Sequence, residues 1–488
     1  MEVAKNFATV AINYETVKER IVASRAFIEQ KVANNEIVYG VTTGFGPLVN
    51  TKIEPKDAIL LQKNLLISHA TGVGKPLSTT IVRAIMLIRL NTFLQGYSGV
   101  RIELIEHLLN FINLQVHPVI PSQGSVGASG DLCPLSHLGS SLIGYGKVEY
   151  KGEIVSADSN KLPTKPIELS YKEGLAINNG TTLMAALGVE AVYRAKKLIE
   201  RATQSTCLVY EALGARKQSF HPAIHRLRRH TAQQTINQNI LTNTEGSAIF
   251  LTFAVGKAKP QDSYSLRCVP QVFGASLHAV NHAKEVIENE LNAVVDNPII
   301  LANEDIAVSG GNFHGQPVAL VLDYLKLAIA EIGSILERQI TKLVDNHHNY
   351  GLPAFLIDGV GLNSGLMITQ YVAAGLVSEN KVLVHPASAD SIPTSNNQED
   401  HVSMGPIGGR QALEIMDNVE QILAIHYMCA AQAYDLRKLQ FNKLNLSFPK
   451  PSASSEALYG QIRKVVNYLE QDLFIHDELN KLSEWLKD

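Results

Sequence analysis

The feature that most constrains the fold is a set of long apolar stripes with helical spacing. Between residues 321 and 343, apolar side chains recur every three or four positions, and Pro317 stands where a first helical turn would accept it. A second stripe runs through residues 411–434, with acidic and amide side chains on the opposite face. Residues 181–213 show the same pattern. The sequence therefore predicts a mainly helical protein with several unusually long helices.

A fourth stripe, in residues 272–295, is predicted to stop at Asp296-Asn297-Pro298, since proline and the residue before it disfavour helix. Strand-like alternation is scarce. The best candidate is a hairpin in residues 146–155 that turns at Lys151-Gly152. No internal repeat or low-complexity linker interrupts the chain.

Composition excludes several classes of protein. The formal net charge of the 488 residues is -3, which suggests neither a nucleic-acid nor a membrane partner. The four cysteines lie far apart without a C-x-x-C pair, a pattern typical of a reduced compartment and not of a zinc site. The first residues lack the apolar core of a signal peptide. We therefore expect a cytoplasmic protein.

One loop holds a tripeptide with unusual chemistry. Residues 124–137 read GSVGASGDLCPLSH, with Ser129 between Ala128 and Gly130. A glycine amide nitrogen is the least hindered backbone nucleophile, and glycine tolerates the bend that reaching back requires. Attack of the Gly130 nitrogen on the Ala128 carbonyl, with loss of two waters, would leave an exocyclic methylene on a ring, which is a strong electrophile. By spacing alone, a flexible glycine- and serine-rich loop explains the stretch better.

Five other polar segments accompany this loop along the chain: VYGVTTGFG (38–46), NNGTT (178–182), QDSYSLRC (261–268), SGGNFHG (309–315) and NNQEDHVSMG (396–405). In this order, and with the tripeptide, they resemble the aromatic amino-acid ammonia-lyases, which include the histidine, phenylalanine and tyrosine lyases and related aminomutases. In that family, Ala-Ser-Gly becomes 4-methylideneimidazol-5-one (MIO). The resemblance covers nearly the whole chain.

The resemblance implies an all-α fold in which long central helices form a bundle, with a smaller, loop-rich N-terminal region that carries the MIO tripeptide. We expect residues 1–180 to form that region and residues 181–488 to form the bundle and a C-terminal helical region. It further implies a homotetramer whose active sites are shared between subunits, an amino-acid substrate, and no metal or diffusible cofactor.

Catalytic and substrate-binding roles follow from the same resemblance. Tyr39 matches the tyrosine proposed to take a proton from the substrate β-carbon; a phenol is a weak base at neutral pH unless its site favours the phenolate. Tyr264 matches a second catalytic tyrosine, with Gln261 beside it. Arg267 matches the arginine that holds the substrate carboxylate, a task suited to a bidentate guanidinium. Taken singly, each is explained equally well by a structural role.

Three further positions match residues that support the MIO ring. Asn179 and Phe313 match residues that position the ring and assist its formation, and Asp131 directly follows the tripeptide.

A non-catalytic helical scaffold of the same fold is the alternative from another class of function. The intact Ala128-Ser129-Gly130 and both tyrosines favour an enzyme, since a scaffold has no reason to keep them together.

Two positions indicate the substrate. Ser68-His69 stands where the resemblance places residues that face the substrate ring; histidine lyases carry Ser-His there, as do certain bacterial tyrosine lyases. Glu399 stands where phenylalanine and tyrosine lyases carry glutamine. A carboxylate can accept a hydrogen bond from an imidazole N–H, whereas facing a benzene ring it would be desolvated without a partner. The sequence therefore predicts conversion of L-histidine to urocanate and ammonia. A tyrosine or phenylalanine lyase, or an aminomutase, is the alternative.

Two histidine pairs could suggest a metal site. His221 and His225 are four residues apart, but Pro222 and neighbouring arginines predict a solvated loop, with no carboxylate close in sequence. His347-His348 follows a predicted helix end, where histidine is an ordinary neighbour of the terminal carbonyls. Neither pair is predicted to bind a metal.

Overall fold

The computed structural model describes residues 1–249 and 261–487, and most of these residues are helical. The α-helices, numbered in chain order over the described residues, are α1 Glu2–Lys5, α2 Lys18–Ala33, α3 Ala58–His69, α4 Thr79–Leu94, α5 Ile102–Asn113, α6 Leu132–Leu142, α7 Glu173–Asn178, α8 Thr182–Leu213, α9 Pro222–Arg228, α10 Thr231–Asn243, α11 Tyr264–Arg267, α12 Val269–Leu291, α13 Gln316–Val344, α14 Met367–Leu383, α15 Gly405–Lys443, α16 Ala453–Val465 and α17 Ile475–Trp485. The predicted all-α class is confirmed.

Short 3-10 helices and strands connect these helices. The 3-10 helices are Tyr14–Thr16, Gly46–Leu48, Pro55–Asp57, Lys217–Phe220, Ala302–Glu304, Ala354–Leu356, Ala387–Ala389 and Ser395–Asn397. The strands are β1 Val73–Pro76, β2 His117–Pro118, β3 Pro121–Gln123, β4 Lys147–Tyr150, β5 Glu153–Ser156, β6 Ile299–Leu301 and β7 Ile306–Val308. They form three small antiparallel sheets, in the orders β1-β3, β2-β4-β5 and β6-β7.

The predicted hairpin is present as β4 and β5, which pair from Lys147 with Ser156 to Tyr150 with Glu153. Its two turn residues, Lys151 and Gly152, both have positive φ, at 51° and 79°. Two consecutive residues of positive φ match the right-handed twist of the flanking strands, which explains why the turn can be so short.

The long helices bury the stripes from which they were predicted. The positions of the predicted stripe in α13 are 0–5% exposed: Val321, Leu325, Ile329, Ile332, Leu336, Ile340 and Leu343. Pro317 occupies the first turn of this helix, where no N–H partner is needed. The stripe of residues 411–434 lies within α15, which is 39 residues long. Helical spacing was therefore a reliable guide to these elements, because each one covers a continuous buried face.

Two expectations were wrong in detail. Helix α12 ends at Leu291 rather than at the proline, because the Asn292 side chain donates to the Glu288 carbonyl and the chain then leaves the helix. The segment with His221 and His225 is not a solvated loop: Pro222 begins the short helix α9, and His225 is 1% exposed. Its ring contacts the Gln233 side chain and the Ser219 carbonyl, which explains its burial without a metal.

The chain divides into two compact units, each assembled from three separate stretches. Unit 1 comprises Met1–Ala191, Ala283–Asp323 and Pro386–Arg410. One of its apolar clusters joins Phe27, Ile28 and Val32 of α2 to Val38 and Val41 of the following loop and Ile300 of β6. That cluster anchors the segment that carries Tyr39.

Unit 2 comprises the described residues of Val192–His282, Tyr324–His385 and Gln411–Asp488. Within it, α13 and α15 approach closely at Gly333, where a β-carbon would come within 3.0 Å of the Val419 side chain. Ile329, Ile332 and Ile422 are fully buried around this crossing. Unit 2 therefore has a helical core of its own.

Candidate active site

The tripeptide loop is shaped by two glycines with left-handed backbone. Gly127 and Gly130 have φ of +67° and +76°, a region that side chains with a β-carbon rarely adopt. A β-carbon on Gly130 would overlap the backbone of Gly180, with which Gly130 forms a parallel bridge. A β-carbon on Gly127 would overlap the Ser403 hydroxyl. The loop is therefore packed against its neighbours and is not the flexible segment that its composition suggests.

Two donors converge on the carbonyl oxygen of Ser129. The Asn179 side-chain amide donates to it at 3.0 Å, and the Gly180 N–H donates at 3.1 Å. The Gly180 carbonyl in turn accepts from the Asp131 N–H at 2.7 Å. Three hydrogen bonds, one from the Asn179 side chain and two between backbone groups, thus clamp the tripeptide loop to residues 50 positions away in the chain.

Asp131 joins the loop to the start of α8. Its carboxylate is fully buried and accepts the Met184 N–H at 3.0 Å and the Ser125 hydroxyl at 3.4 Å. Burial raises the pKa of Asp131 to about 7, although these hydrogen bonds and the charge of Arg89 act in the opposite direction. Helices α6 and α8 both begin beside the tripeptide, so the partial positive charges of their N-termini lie there.

A second segment covers the other side of the loop. The Met404 N–H donates to the Val126 carbonyl at 2.9 Å, and the Ser403 hydroxyl donates to the Gly127 carbonyl at 3.0 Å. Ala128 packs with Val402 and Met404 in a small apolar cluster. The residues that precede α15 therefore cover this side of the tripeptide loop through hydrogen bonds to its backbone and apolar contacts with Ala128.

Phe313 lies half-buried in the turn that precedes α13. Two residues later, Gly315 packs so closely that a β-carbon there would overlap Met184 and approach the Ser403 hydroxyl to 3.0 Å. Because Met184 and Ser403 both contact the tripeptide loop, the segment that carries Phe313 is brought to the same part of unit 1. Its role toward the ring stays a prediction.

Glu399 contacts the tripeptide directly. One carboxylate oxygen accepts the Ser129 hydroxyl at 3.0 Å, while the other accepts the hydroxyls of Thr394 and Ser395 at 2.6 and 3.1 Å. His69, at the end of α3, is half-buried, and burial lowers its pKa while the negative charge of Glu399 acts to raise it. Of the residues predicted from the substrate argument, Glu399 thus contacts Ser129, and its negative charge acts on His69.

Ser68, the other half of the predicted pair, is exposed. Its hydroxyl contacts the His69 Nδ1 atom at 2.9 Å and the Leu65 carbonyl at 3.2 Å. The first of these contacts restrains the imidazole of His69.

Tyr39 is half-buried, and its phenol oxygen accepts the Gly46 N–H at 3.0 Å. Sequence reasoning missed the residue that holds this segment in place. Gln62 of α3 is fully buried; its amide donates to the Gly40 carbonyl at 2.9 Å and its oxygen accepts the Leu175 N–H at 3.1 Å. One side chain therefore ties the Tyr39 loop to α7, the helix that ends just before Asn179.

Gln261, Tyr264 and Arg267 belong to unit 2. Gln261 is exposed, and Tyr264 is 71% exposed. The guanidinium of Arg267 lies 4.7 Å from the centre of the Tyr264 ring. Within the described residues, the Arg267 Nε atom is buried and has no hydrogen-bond partner. The pair thus presents an open phenol beside a guanidinium with unused hydrogen-bonding capacity.

Over residues 1–249 and 261–487, no group of three or more His, Cys, Asp or Glu side chains is arranged to hold a metal ion. In the same ranges, none of the helices combines the length and hydropathy that crossing a membrane requires.

Comparison with known proteins gives a consistent result. A family model described as aromatic amino acid lyase matches residues 1–464. The chain is 48% identical to a histidine ammonia-lyase of Gloeobacter violaceus, over 96% of this chain and 90% of that protein. The crystal structure of histidine ammonia-lyase from Trypanosoma cruzi is 38% identical, with a TM-score of 0.90 over 100% of this chain and 90% of the other. Tyrosine aminomutase from Streptomyces globisporus is 34% identical, with a TM-score of 0.93 over 99% and 94%.

Proposed function

Because the chain belongs to the aromatic amino acid lyase family of carbon–nitrogen lyases, we propose that it converts L-histidine to urocanate and ammonia. The observation that carries this proposal is the hydrogen bond from the Ser129 hydroxyl to the Glu399 carboxylate. The negative charge of that carboxylate also acts to raise the pKa of His69. An acid at this place suits a substrate with a nitrogen-bearing ring, since it would lack a partner against a benzene ring. The name of the Gloeobacter violaceus relative supports the same substrate.

The residues of the loop fit the MIO group that the family implies. Ring closure from Ala128, Ser129 and Gly130 leaves the Ser129 carbonyl as the ring carbonyl, and that oxygen already accepts two hydrogen bonds, from Asn179 and Gly180. When formed, the group supplies an electrophilic carbon that an amine can attack. Donors on the conjugated carbonyl draw electron density from that carbon, so Asn179 and Gly180 would strengthen it as an electrophile.

Loss of the Ser129 hydroxyl also changes the surroundings of Glu399. The hydroxyl leaves as one of the two waters, so the carboxylate oxygen that accepts it in the linear chain becomes available. The other oxygen keeps its bonds to Thr394 and Ser395, which fix the orientation of the carboxylate. Glu399 is then positioned to accept a hydrogen bond from the imidazole N–H of histidine, with His69 beside it.

The remaining roles follow from what each side chain can do. Elimination breaks the bond from the α-carbon to nitrogen and removes a proton from the β-carbon. We propose that Tyr39 removes the proton from the β-carbon; its phenol oxygen accepts a hydrogen bond from the Gly46 N–H. Arg267 would bind the substrate carboxylate through its unused guanidinium donors, with Tyr264 and Gln261 completing that end of the site.

The quaternary and cellular setting belongs to the proposal as well. The openness of Tyr264 suits a residue that completes a site together with another copy of the chain. We propose a homotetramer with shared sites, located in the cytoplasm, with Asp131 and Phe313 supporting ring formation.

The substrate is tested by measuring kcat/KM for histidine, tyrosine and phenylalanine. We expect a preference for histidine, and Glu399→Gln should lower kcat/KM for histidine at least about tenfold, because a hydrogen bond to a charged group is worth about 1.5–3 kcal/mol. Glu153→Gln, on the exposed hairpin, is the control and should behave as wild type. Preference for tyrosine or phenylalanine, or a β-amino acid product seen by NMR, would refute the assignment.

The prosthetic group is tested by intact-protein mass. Wild type should be lighter than its translated sequence by two waters, and Ser129→Ala should show neither the deficit nor activity. Glu399→Gln should keep the deficit if the acid acts on the substrate rather than in ring formation. A wild-type mass equal to the translated mass would exclude MIO.

A further inference from the structure

A buried arginine lies directly behind the clamp that holds the tripeptide. Arg89, on α4, is fully buried. One guanidinium nitrogen donates to the Ala176 carbonyl at 3.0 Å, and another donates to the Thr182 hydroxyl. The second nitrogen also lies 3.0 Å from the point that a β-carbon on Gly180 would occupy. Within the described residues the Arg89 Nε atom has no hydrogen-bond partner.

Arg89 contacts residues on both sides, in sequence, of Asn179 and Gly180, the two donors to the Ser129 carbonyl. Ala176 belongs to α7, which ends just before Asn179, and Thr182 is the first residue of α8. Asn179 and Gly180, which donate to the Ser129 carbonyl, lie between these two helices. A planar guanidinium with donors fixed in a fork can hold both helix ends at a set separation, which a flexible ammonium group cannot do.

The charge of Arg89 is placed to act on the same loop. Its charged form is favoured by the carboxylates of Asp131 and Asp296, against a burial cost that lowers its pKa to about 10, so it stays charged at neutral pH. Asp296 is itself paired with Lys172 at 2.6 Å, and both side chains are fully buried. Over the described residues Asp131 has no ion pair of this kind; its carboxylate accepts from the Ser125 hydroxyl and the Met184 N–H. The positive charge that acts on it is that of Arg89.

We propose that Arg89 is a positioning residue for ring formation, which fixes Asn179 and Gly180 over the Ser129 carbonyl and supplies the positive charge that balances Asp131. The inference rests on the proposed function only in that the tripeptide must cyclise. Arg89 does not contact the reacting atoms; it acts through the turn between α7 and α8. Its loss should therefore reduce the amount of ring formed, rather than only the stability of the fold.

The test compares two buried arginines of the same helix. Arg83 is also fully buried on α4, donates to the Ile112 and Ala8 carbonyls, and likewise has an Nε atom without a partner among the described residues. Arg89→Lys and Arg83→Lys are each made in the full chain, and the two-water mass deficit is followed over time alongside circular dichroism and melting temperature. We expect wild-type cyclisation in Arg83→Lys and at least tenfold slower or less complete cyclisation in folded Arg89→Lys.

A second pair of variants covers the case in which Arg89→Lys does not fold. Thr182→Val removes only the hydroxyl that accepts from Arg89, and Thr182→Ser retains it. Cyclisation should fall in Thr182→Val and be kept in Thr182→Ser. A complete mass deficit that forms at the wild-type rate in folded Arg89→Lys, or in Thr182→Val, would overturn the inference and leave the proposed function standing. A wild-type chain without any deficit would overturn both.

Discussion

At the scale of single residues, the candidate site depends on atoms held by one or two specific contacts. Among the described residues, the phenol oxygen of Tyr39 accepts a single hydrogen bond, from the nearby Gly46 N–H, so its hydroxyl does not cross-link distant parts of unit 1. The loop around it is fixed instead by Gln62 and by the apolar cluster that includes Val38 and Val41. The hydroxyl can therefore be removed with little effect on the fold.

We expect Tyr39→Phe to fold, to keep the two-water mass deficit, and to lose turnover by at least about 10²–10⁴-fold, the usual contribution of a general acid or base. The measurement is kcat for histidine, with mass and melting temperature recorded on the same sample. Tyr150→Phe, another half-buried tyrosine of unit 1 that lies on the hairpin, is the control. Near-normal turnover in Tyr39→Phe would remove Tyr39 from the mechanism.

At the scale of helices, the core of unit 2 contains a network of hydrogen bonds between polar side chains that fixes the tautomer of His426. The Gln339 carbonyl oxygen contacts the His426 Nε2 atom at 2.7 Å, so that nitrogen carries the proton. The Nδ1 atom therefore accepts the Ser205 hydroxyl at 2.6 Å, and the Gln339 amide donates to the Ser265 carbonyl at 2.8 Å. These hydrogen bonds join α8, α15 and α13 to α11, the short helix that carries Tyr264 and Arg267.

The burial of His426 in this network makes the free energy of unfolding depend on pH. Burial lowers the pKa of His426 to about 3 from its ordinary value of 6.5. The unfolded chain takes up a proton below about pH 6.5 while the folded chain does not until about pH 3, so acidification favours unfolding. Between pH 7 and 5, His426 should cost up to about 2 kcal/mol of unfolding free energy. Between pH 7 and 5, the unfolding free energy of His426→Gln should therefore fall by about 2 kcal/mol less than that of wild type, as measured by urea denaturation. The same pH dependence in both proteins would contradict this account.

At the scale of the whole molecule, the predicted site residues fall into different compact units. Tyr39, the tripeptide, Asn179 and Glu399 lie in unit 1, whereas Gln261, Tyr264 and Arg267 lie in unit 2. The units are discontinuous in sequence, because several long helices contribute residues to both. The division into residues 1–180 and 181–488 stays a prediction.

Shared sites can be tested by mixing inactive variants. If Tyr39 and Tyr264 come from different subunits, tetramers that co-assemble from Tyr39→Phe and Tyr264→Phe chains at random should regain about a quarter of the wild-type sites. Coexpression followed by a histidine-turnover assay measures this recovery. The pair Tyr39→Phe and Ser129→Ala, both in unit 1, should not complement each other. No recovery in the first pair would place both tyrosines in one chain's site.

Sequence by itself determined what depends on local spacing and on residue chemistry. The buried stripes of α13 and α15 predicted these helices because helical periodicity is set within one element. Lys151-Gly152 predicted the hairpin turn, and the order of the polar segments indicated the family, which the family match confirms. The tripeptide was recognisable only together with those segments, since its spacing alone fits a flexible glycine- and serine-rich loop.

Tertiary structure alone decided which residues meet. Gln62 and Arg89 carry no signal in sequence, because a buried polar side chain within an apolar stripe is understood only from the carbonyls it reaches. The burial of His225 and the early end of α12 also depended on partners elsewhere in the fold or on one side-chain cap. The contact of Glu399 with Ser129 spans 270 positions. Local pattern cannot specify such a pairing, since it is fixed by the packing of whole helices around the loop.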